Sequence, residues 1–279
     1  MSPVRLAYMP LVSYPESAPD DAVRAGQALA TSLRCELSAT AFAVDIPRVP
    51  LPIGGLLLNM PEMTRMAEKH SLTRCGELEA LLTSETGSDL RIDVSTRHAG
   101  LGRAQYGAAL EARSFDVVLL PWSKESVSVR DFAQAIVFEA GRPSILVPPG
   151  ATAAPIRHVA IAWDASRLAA RALADVLPLL PDDCEITVLT VEDDKTLPGK
   201  GLAEALAASL QRRGYKATAQ AVTLDKRKIA VALQEAALSA GAQMLAMGGF
   251  GHSRIRDFVL GSATTGVFDD LRLPVLLSH

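Results

Sequence analysis

The sequence predicts an α/β protein made of two tandem five-stranded parallel sheets with helices on both faces, and three observations carry that expectation. Short apolar runs alternate with longer helix-period segments; the same order of five strands occurs twice; and a stretch rich in Pro, Gly and Ala, PPGATAAPI (148–156), stands between the two copies. With 279 residues and 49% hydrophobic content, the chain can give each copy its own core. We therefore expect one domain over 1–149 and a second over 155–279.

In the first copy the strands fall at VRLAYMP (4–10), CELSATAFAV (35–44), LRIDVST (90–96), FDVVLLP (115–121) and PSILVP (143–148). Helical periodicity places helices over 20–33, 61–82, 104–113 and 129–139. The insert VPLPIGGLLLNMPEM (49–63) is expected to be a loop packed on its own domain, with a lid or an interface as the alternative.

The second copy opens with the apolar run HVAIAW (158–163). SRLAARALADVLPLL (166–180) follows with apolar residues at helical spacing and Ser166 available as N-cap. EITVLTV (185–191) is the next strand. GLAEALAASLQRRG (201–214) reads as a helix closed by Gly214, KATAQAV (216–222) as a strand, and KIAVALQEAALSAG (228–241) as a helix closed by Gly241. QMLAMG (243–248) and PVLLS (274–278) complete the set. Most of these strands are apolar on both faces, the pattern of a parallel sheet covered by helices on two sides. Two local matches support duplication: CELSATAFAVD (35–45) beside CEITVLTVEDD (184–194), and GRPSILVPP (141–149) beside LRLPVLLSH (271–279).

Composition excludes several function classes. Lys plus Arg number 28 against 31 Asp plus Glu, a net charge of -3, so there is no global basic footprint for nucleic acid or an anionic membrane. No run of about 18 apolar residues suggests membrane insertion, and the start MSPVRLAYMPLV lacks the features of a signal peptide, so a cytoplasmic protein is expected. Cys35, Cys75 and Cys184 are far apart and read as buried free thiols, and the five histidines show no metal-ligand spacing. No P-loop, Rossmann glycine triplet or G-x-S-x-G elbow occurs. PGKG (198–201) reads as a turn before a helix, and the acidic run Glu192 to Asp194 as a solvated loop.

The stretch that carries chemistry is MGGFGHSRIRDFVLGSATTGVF (247–268). In an open parallel sheet, ligands bind beyond the carboxyl ends of the strands where strand order reverses. The fourth strand of the second copy ends there, and Gly248 and Gly251 are expected to take positive φ and expose backbone N–H groups. Gly261 and Ser262 come where the next helix should begin, so its free N–H groups and the hydroxyls of Ser262, Thr264 and Thr265 can converge on an anion.

The spacing G-x2-G-x9-G-[ST], spelled by Gly248, Gly251, Gly261 and Ser262, resembles the ATP-binding branch of the universal stress protein family. The resemblance runs from the first strand of the second copy to its closing PVLLS. It implies an adenine nucleotide alpha hydrolase-like, Rossmann-like fold and a site for ATP or a related adenine nucleotide, with or without magnesium. Asp164, in AIAWDAS, would contact the adenosine beside Ala162, Val191 would lie by the adenine, and Met247 and Gly248 would supply backbone. Gly251, Gly261, Ser262, Ala263 and Thr264 would hold the phosphates, and His252 and Arg254 are candidates to balance their charge. Trp163 replaces the small residue common in the family and would either stack on the base or fill part of its pocket.

The first copy has LPWSK where the second has MGGFG: Pro121 removes a donor, Trp122 adds bulk, and no Asp follows strand one before Asp20. We expect it to be degenerate for nucleotide. The resemblance further implies pairing of the last strands, so PSILVP against PVLLS would make an internal pseudo-dimer, with a further homodimer open. The implied role is stress response or regulation, with no catalytic residue and no metal site; any ATP hydrolysis would be slow for want of a positioned general base. A nucleotide-independent interaction or small-ligand module is the alternative. An adenylating enzyme is disfavoured because WDASR stands where an SGGxDS-like loop would be.

Overall fold

The computed structural model describes residues 4–47, 60–84, 91–150, 154–193, 197–249 and 262–279, with 262–265 described by their helical backbone alone. The amino-terminal half runs β1 (Arg5–Val12), α1 (Asp20–Ser32), β2 (Cys35–Asp45), α2 (Met60–Thr83), β3 (Ile92–Gly100), α3 (Ala104–Ala112), β4 (Val117–Pro121), α4 (Val127–Glu139) and β5 (Ser144–Val147). The carboxyl-terminal half runs β6 (His158–Ala162), α5 (Arg167–Val176), β7 (Glu185–Val191), α6 (Leu202–Arg212), β8 (Lys216–Val222), α7 (Ile229–Ser239), β9 (Met244–Gly248), α8 (Ser262–Asp269) and β10 (Val275–Ser278). α2 begins at Met60, one residue before the helix expected over 61–82, so it takes in the last residues of the 49–63 insert; residues 49–59 lie outside the described residues.

One feature of the expected fold is corrected. The two five-stranded sheets are one ten-stranded sheet, in the order β3-β2-β1-β4-β5-β10-β9-β6-β7-β8. Pairing is parallel within each half and antiparallel at the β5–β10 seam, where Val275 meets Leu146 and Leu277 meets Ser144. An unpaired edge strand leaves a row of N–H and C=O groups open to other chains, and joining the two edges removes both liabilities.

Local sequence explains the elements. β4 and β9 are short and almost wholly buried, as strands covered on two sides should be. In α5 the buried residues Ala169, Ala172 and Val176 recur on one face, and Ser166 accepts a hydrogen bond from the Ala169 N–H as its N-cap. Pro178, which has no N–H to give the helix, marks its change into a single 3-10 turn, Leu177–Leu179. Gly214 and Gly241 follow α6 and α7 in left-handed conformations.

The core forms two apolar layers that each pass through both halves. One contains Leu29 and Leu78 with Val176 and Leu206; the other contains Ile136 and Trp122 with Leu233 and Phe268. Side chains reinforce the seam. The Trp122 and Phe268 rings meet edge-on at 5.2 Å, Phe138 meets His279 at 5.4 Å, and Arg130 pairs with Asp269 at 3.5 Å. Among the described residues no helix is long and apolar enough to cross a membrane.

Candidate functional site

Strand order reverses between β1 and β4 in one half and between β6 and β9 in the other. The second reversal brings together the ends of β6, β7 and β9. Ile161 pairs with Ala246 and Ala162 with Leu189, so Ala162, Val191 and Met247 all stand at the same carboxyl edge.

Beyond β6 the chain is held firmly before it turns. The Trp163 N–H donates to the Leu189 carbonyl at 2.7 Å, and the Thr190 hydroxyl donates to the Trp163 carbonyl at 2.7 Å. Asp164 then accepts the Ser166 N–H at 2.9 Å, and Ala165 takes φ +59. A left-handed alanine costs on the order of 1–2 kcal/mol, which the Asp164 bond and the Ser166 cap on Ala169 offset. This turn fixes a half-buried carboxylate beyond the carboxyl end of β6, just before the start of α5.

Gly248 departs from expectation. It ends β9 in extended conformation, and its φ is not positive. Its lack of a side chain serves packing: a Cβ would stand 2.7 Å from the Leu168 carbonyl carbon and 2.9 Å from the Ala169 nitrogen. Only glycine lets β9 approach the first turn of α5 this closely. The next residue, Gly249, is buried and donates its N–H to the Ser278 carbonyl at 2.8 Å, extending the β9–β10 ladder by one bond. Nothing in the motif spacing singles out Gly249.

The remaining assigned residues divide into three sets. Ala162 and Val191 are partly buried and pack against the layer that holds α7 and α8, whereas Trp163 packs against the opposite layer, with α5 and α6. The indole therefore lies on the other side of the sheet from Ala162 and from Val191, the residue assigned to the base. Ser262, Ala263 and Thr264 are the first three residues of α8, where a helix start was expected. Gly251, His252, Arg254 and Gly261 lie outside the described residues.

A neighbouring cleft escaped the sequence reading. It has a volume of about 560 Å³ and lies beyond β7 and β8, walled by Thr190, Glu192, Lys200, Gly201, Glu204 and Ala221. PGKG, read as a simple turn, supplies its rim. The left-handed Gly201 that begins α6 is the local signal that could have drawn attention to it.

All three thiols are buried, and burial is the main cause that pushes Cys35 and Cys184 up to about 11; Asp183 and Glu185 add to the rise at Cys184. Among the described residues, no group of three or more His, Cys, Asp or Glu is placed to hold a metal ion.

Comparison with known proteins agrees with this architecture. Residues 155–279 match the model of the universal stress protein family. A universal stress protein from Archaeoglobus fulgidus DSM 4304 superposes with a TM-score of 0.64 at 15% identity, over 97% of each chain. A functionally unknown protein from Pseudomonas aeruginosa PAO1 superposes with a TM-score of 0.52 at 13% identity, over 97% of this chain and 92% of its own. No curated protein matches the sequence significantly.

Proposed function

Because residues 155–279 belong to the universal stress protein family, we propose that the chain is a tandem member that binds ATP or a related adenine nucleotide through its carboxyl-terminal half, and that it acts in stress response or regulation. The observation that carries this reading is the convergence at the β6/β9 reversal. Asp164 is fixed by its own turn beside Ala162, Val191 ends β7, Met247 lies one residue before the end of β9, and α8 begins at Ser262. Open α/β sheets bind ligands at such a point, and a helix start offers unpaired N–H groups to phosphate.

In this reading Asp164 contacts the adenosine, Val191 borders the base, and Gly251, Gly261, Ser262, Ala263 and Thr264 enclose the phosphates, with His252 and Arg254 beside them. Magnesium would be carried on the phosphates, since the described residues offer no cage of their own. The role is that of a nucleotide-dependent regulator in the cytoplasm, with β5 and β10 replacing the contact that would otherwise join two separate chains. Hydrolysis would be slow at most, because the motif itself positions no general base.

The decisive experiment is mass spectrometry of ligand released from freshly purified protein, followed by calorimetric titration with ATP and magnesium. Adenine nucleotide near one per chain, lost on replacing Gly261 with Trp while the circular dichroism is kept, is the expected result. A protein that releases no nucleotide and gives no heat with ATP would overturn the reading. The nucleotide-independent module would then lead, favoured by Gly248, whose bare α-carbon is already occupied by α5.

A further inference from the structure

The amino-terminal half holds a cavity of about 300 Å³ at the same edge of the sheet. It opens beyond the ends of β1, β2 and β3, between the first turns of α3 and α4, and its walls include Val12, Phe42, Ala99, Ala104, Asp131 and Phe132.

Strand register shows which place in the fold this is. Ala7 pairs with Val117 as Val159 pairs with Met244, and Leu6 pairs with Glu36 as His158 pairs with Glu185. Carried along the strands, these pairings set Val12 level with Asp164 and Phe42 level with Val191. Counting back from the first residues of β5 and β10 sets Asp131 level with Ser262 and Phe132 level with Ala263. Four walls of the cavity therefore occupy the positions that surround the β6/β9 crevice in the other half.

Their chemistry is reversed. Where one half has a carboxylate after its first strand, this half has the isopropyl group of Val12; where the other has Ser262 as the first residue of α8, this one has the Asp131 carboxylate, one turn into α4. Among the described residues that line the cavity, Asp131 is the one charged side chain, and none is Lys, Arg or His. The gap between β1 and β4, bordered by Pro121, Phe132 and Ala133, measures about 10 Å³, about the least that holds one water and far too small for a phosphate. The Ser126 hydroxyl already accepts the Val129 N–H at the start of α4. An anion would meet a like charge at Asp131.

An apolar molecule meets different conditions. The Phe42 and Phe132 rings contact each other at 6.2 Å with a 59° tilt, forming an aromatic wall, and Val12, Ala99 and Ala104 continue it. The volume lies at the lower end of the range of about 300–1,000 Å³ usual for small-molecule sites. We propose that this cavity binds an uncharged, largely apolar small molecule that lies against Phe42 and Phe132 and donates one hydrogen bond to Asp131. The proposal is independent of nucleotide binding in the other half.

The test titrates full-length protein with 1-aminoanthracene, a neutral aromatic amine whose emission rises in apolar surroundings, and in parallel with the sulfonated dye 1-anilinonaphthalene-8-sulfonate. Saturable binding of the amine, weaker binding of the sulfonate and no displacement by ATP are expected. Ala104→Phe and Ser128→Phe fill the cavity from half-buried positions on two different helices. Each should weaken the amine about tenfold or more, equivalent to about 1.4 kcal/mol, with unchanged circular dichroism. Asp131→Asn should narrow the preference for the neutral dye. Absence of saturable amine binding, equal affinity for the sulfonate, displacement by ATP, or wild-type affinity in both filled variants would overturn the proposal.

Discussion

Pro121-Trp122 at the end of β4 and Gly248-Gly249 at the end of β9 stand at equivalent positions, yet they occupy space in opposite ways. In the amino-terminal half the chain fills the edge of the sheet: Pro121 ends β4, and Trp122 is buried against Phe268 of the other half. In the carboxyl-terminal half it empties the edge, so that β9 can lie against the backbone of α5. The sheet edge that is filled belongs to the half that anchors the seam. The edge that is emptied belongs to the half whose crevice is proposed to take a nucleotide. On that proposal the two halves divide two tasks between equivalent places at the sheet edge, because a site and a staple need opposite amounts of side chain there.

The strongest way to break this contrast is Trp122→Ala. The indole is 2% exposed and bridges the two halves. Its removal should destabilise the protein by about 3–5 kcal/mol through lost burial and an unfilled cavity, visible as a lower denaturation midpoint. A cost below about 1 kcal/mol would mean that the β5–β10 ladder alone holds the halves together.

Gly248→Ala addresses the opposite edge. The new Cβ would meet backbone atoms of Leu168 and Ala169 at 2.7–2.9 Å, and neither can rotate away as a side chain could. We expect a loss of about 1–3 kcal/mol from overpacking. Because α5 carries the Asp164 turn on its amino-terminal side, nucleotide affinity should fall as well. Unchanged thermal stability would show that β9 and α5 can separate without cost, and that glycine there serves another purpose.

Two cysteines sharpen the comparison because they stand level in the two halves, Cys35 at the start of β2 and Cys184 just before β7. Burial raises both to about 11, above the ordinary 9.0. A raised thiol pKa means that the fold favours the protonated form. Its contribution is therefore complete below pH 9 and declines as the pH climbs from about 9 to 11. Denaturation measured across that window should show falling stability, with a shallower fall in Cys35→Ala and Cys184→Ala. Rapid labelling of the native protein by a thiol reagent at pH 8 would contradict the burial of these groups.

How much of this was legible beforehand follows a physical line. Strands such as EITVLTV and helix caps such as Ser166 were readable because hydrophobic period and capping chemistry are local. The β5–β10 seam was accessible only through the family resemblance, which implies pairing of the last strands. The single sheet, the Trp122–Phe268 contact and the extended Gly248 were not, since each depends on which backbone or ring arrives from elsewhere in the chain. Trp122 and Gly248 were both read for their effect on a phosphate; the structure shows each of them packed against protein. The 560 Å³ cleft was hidden for a similar reason, being made by a turn and two strand ends that have no motif in common.

The smallest expected effects come from the two serine caps, and they test whether the halves differ in exposure as well as in shape. Ser126 accepts the Val129 N–H at the start of α4, and Ser166 accepts the Ala169 N–H at the start of α5. Replacing an N-cap serine with alanine costs about 0.5–2 kcal/mol. Where the freed N–H stays buried the cost rises, because no water replaces the lost acceptor. Ser126 is buried and Ser166 only half so. Ser126→Ala should therefore fall toward the upper end of that range and Ser166→Ala toward the lower. The double variant should lose the sum of the two within about 0.5 kcal/mol, since the caps share no partner. A non-additive result in chemical denaturation would mean that the α4 and α5 ends communicate across the seam, and the division of labour between the two edges would then be a coupled one.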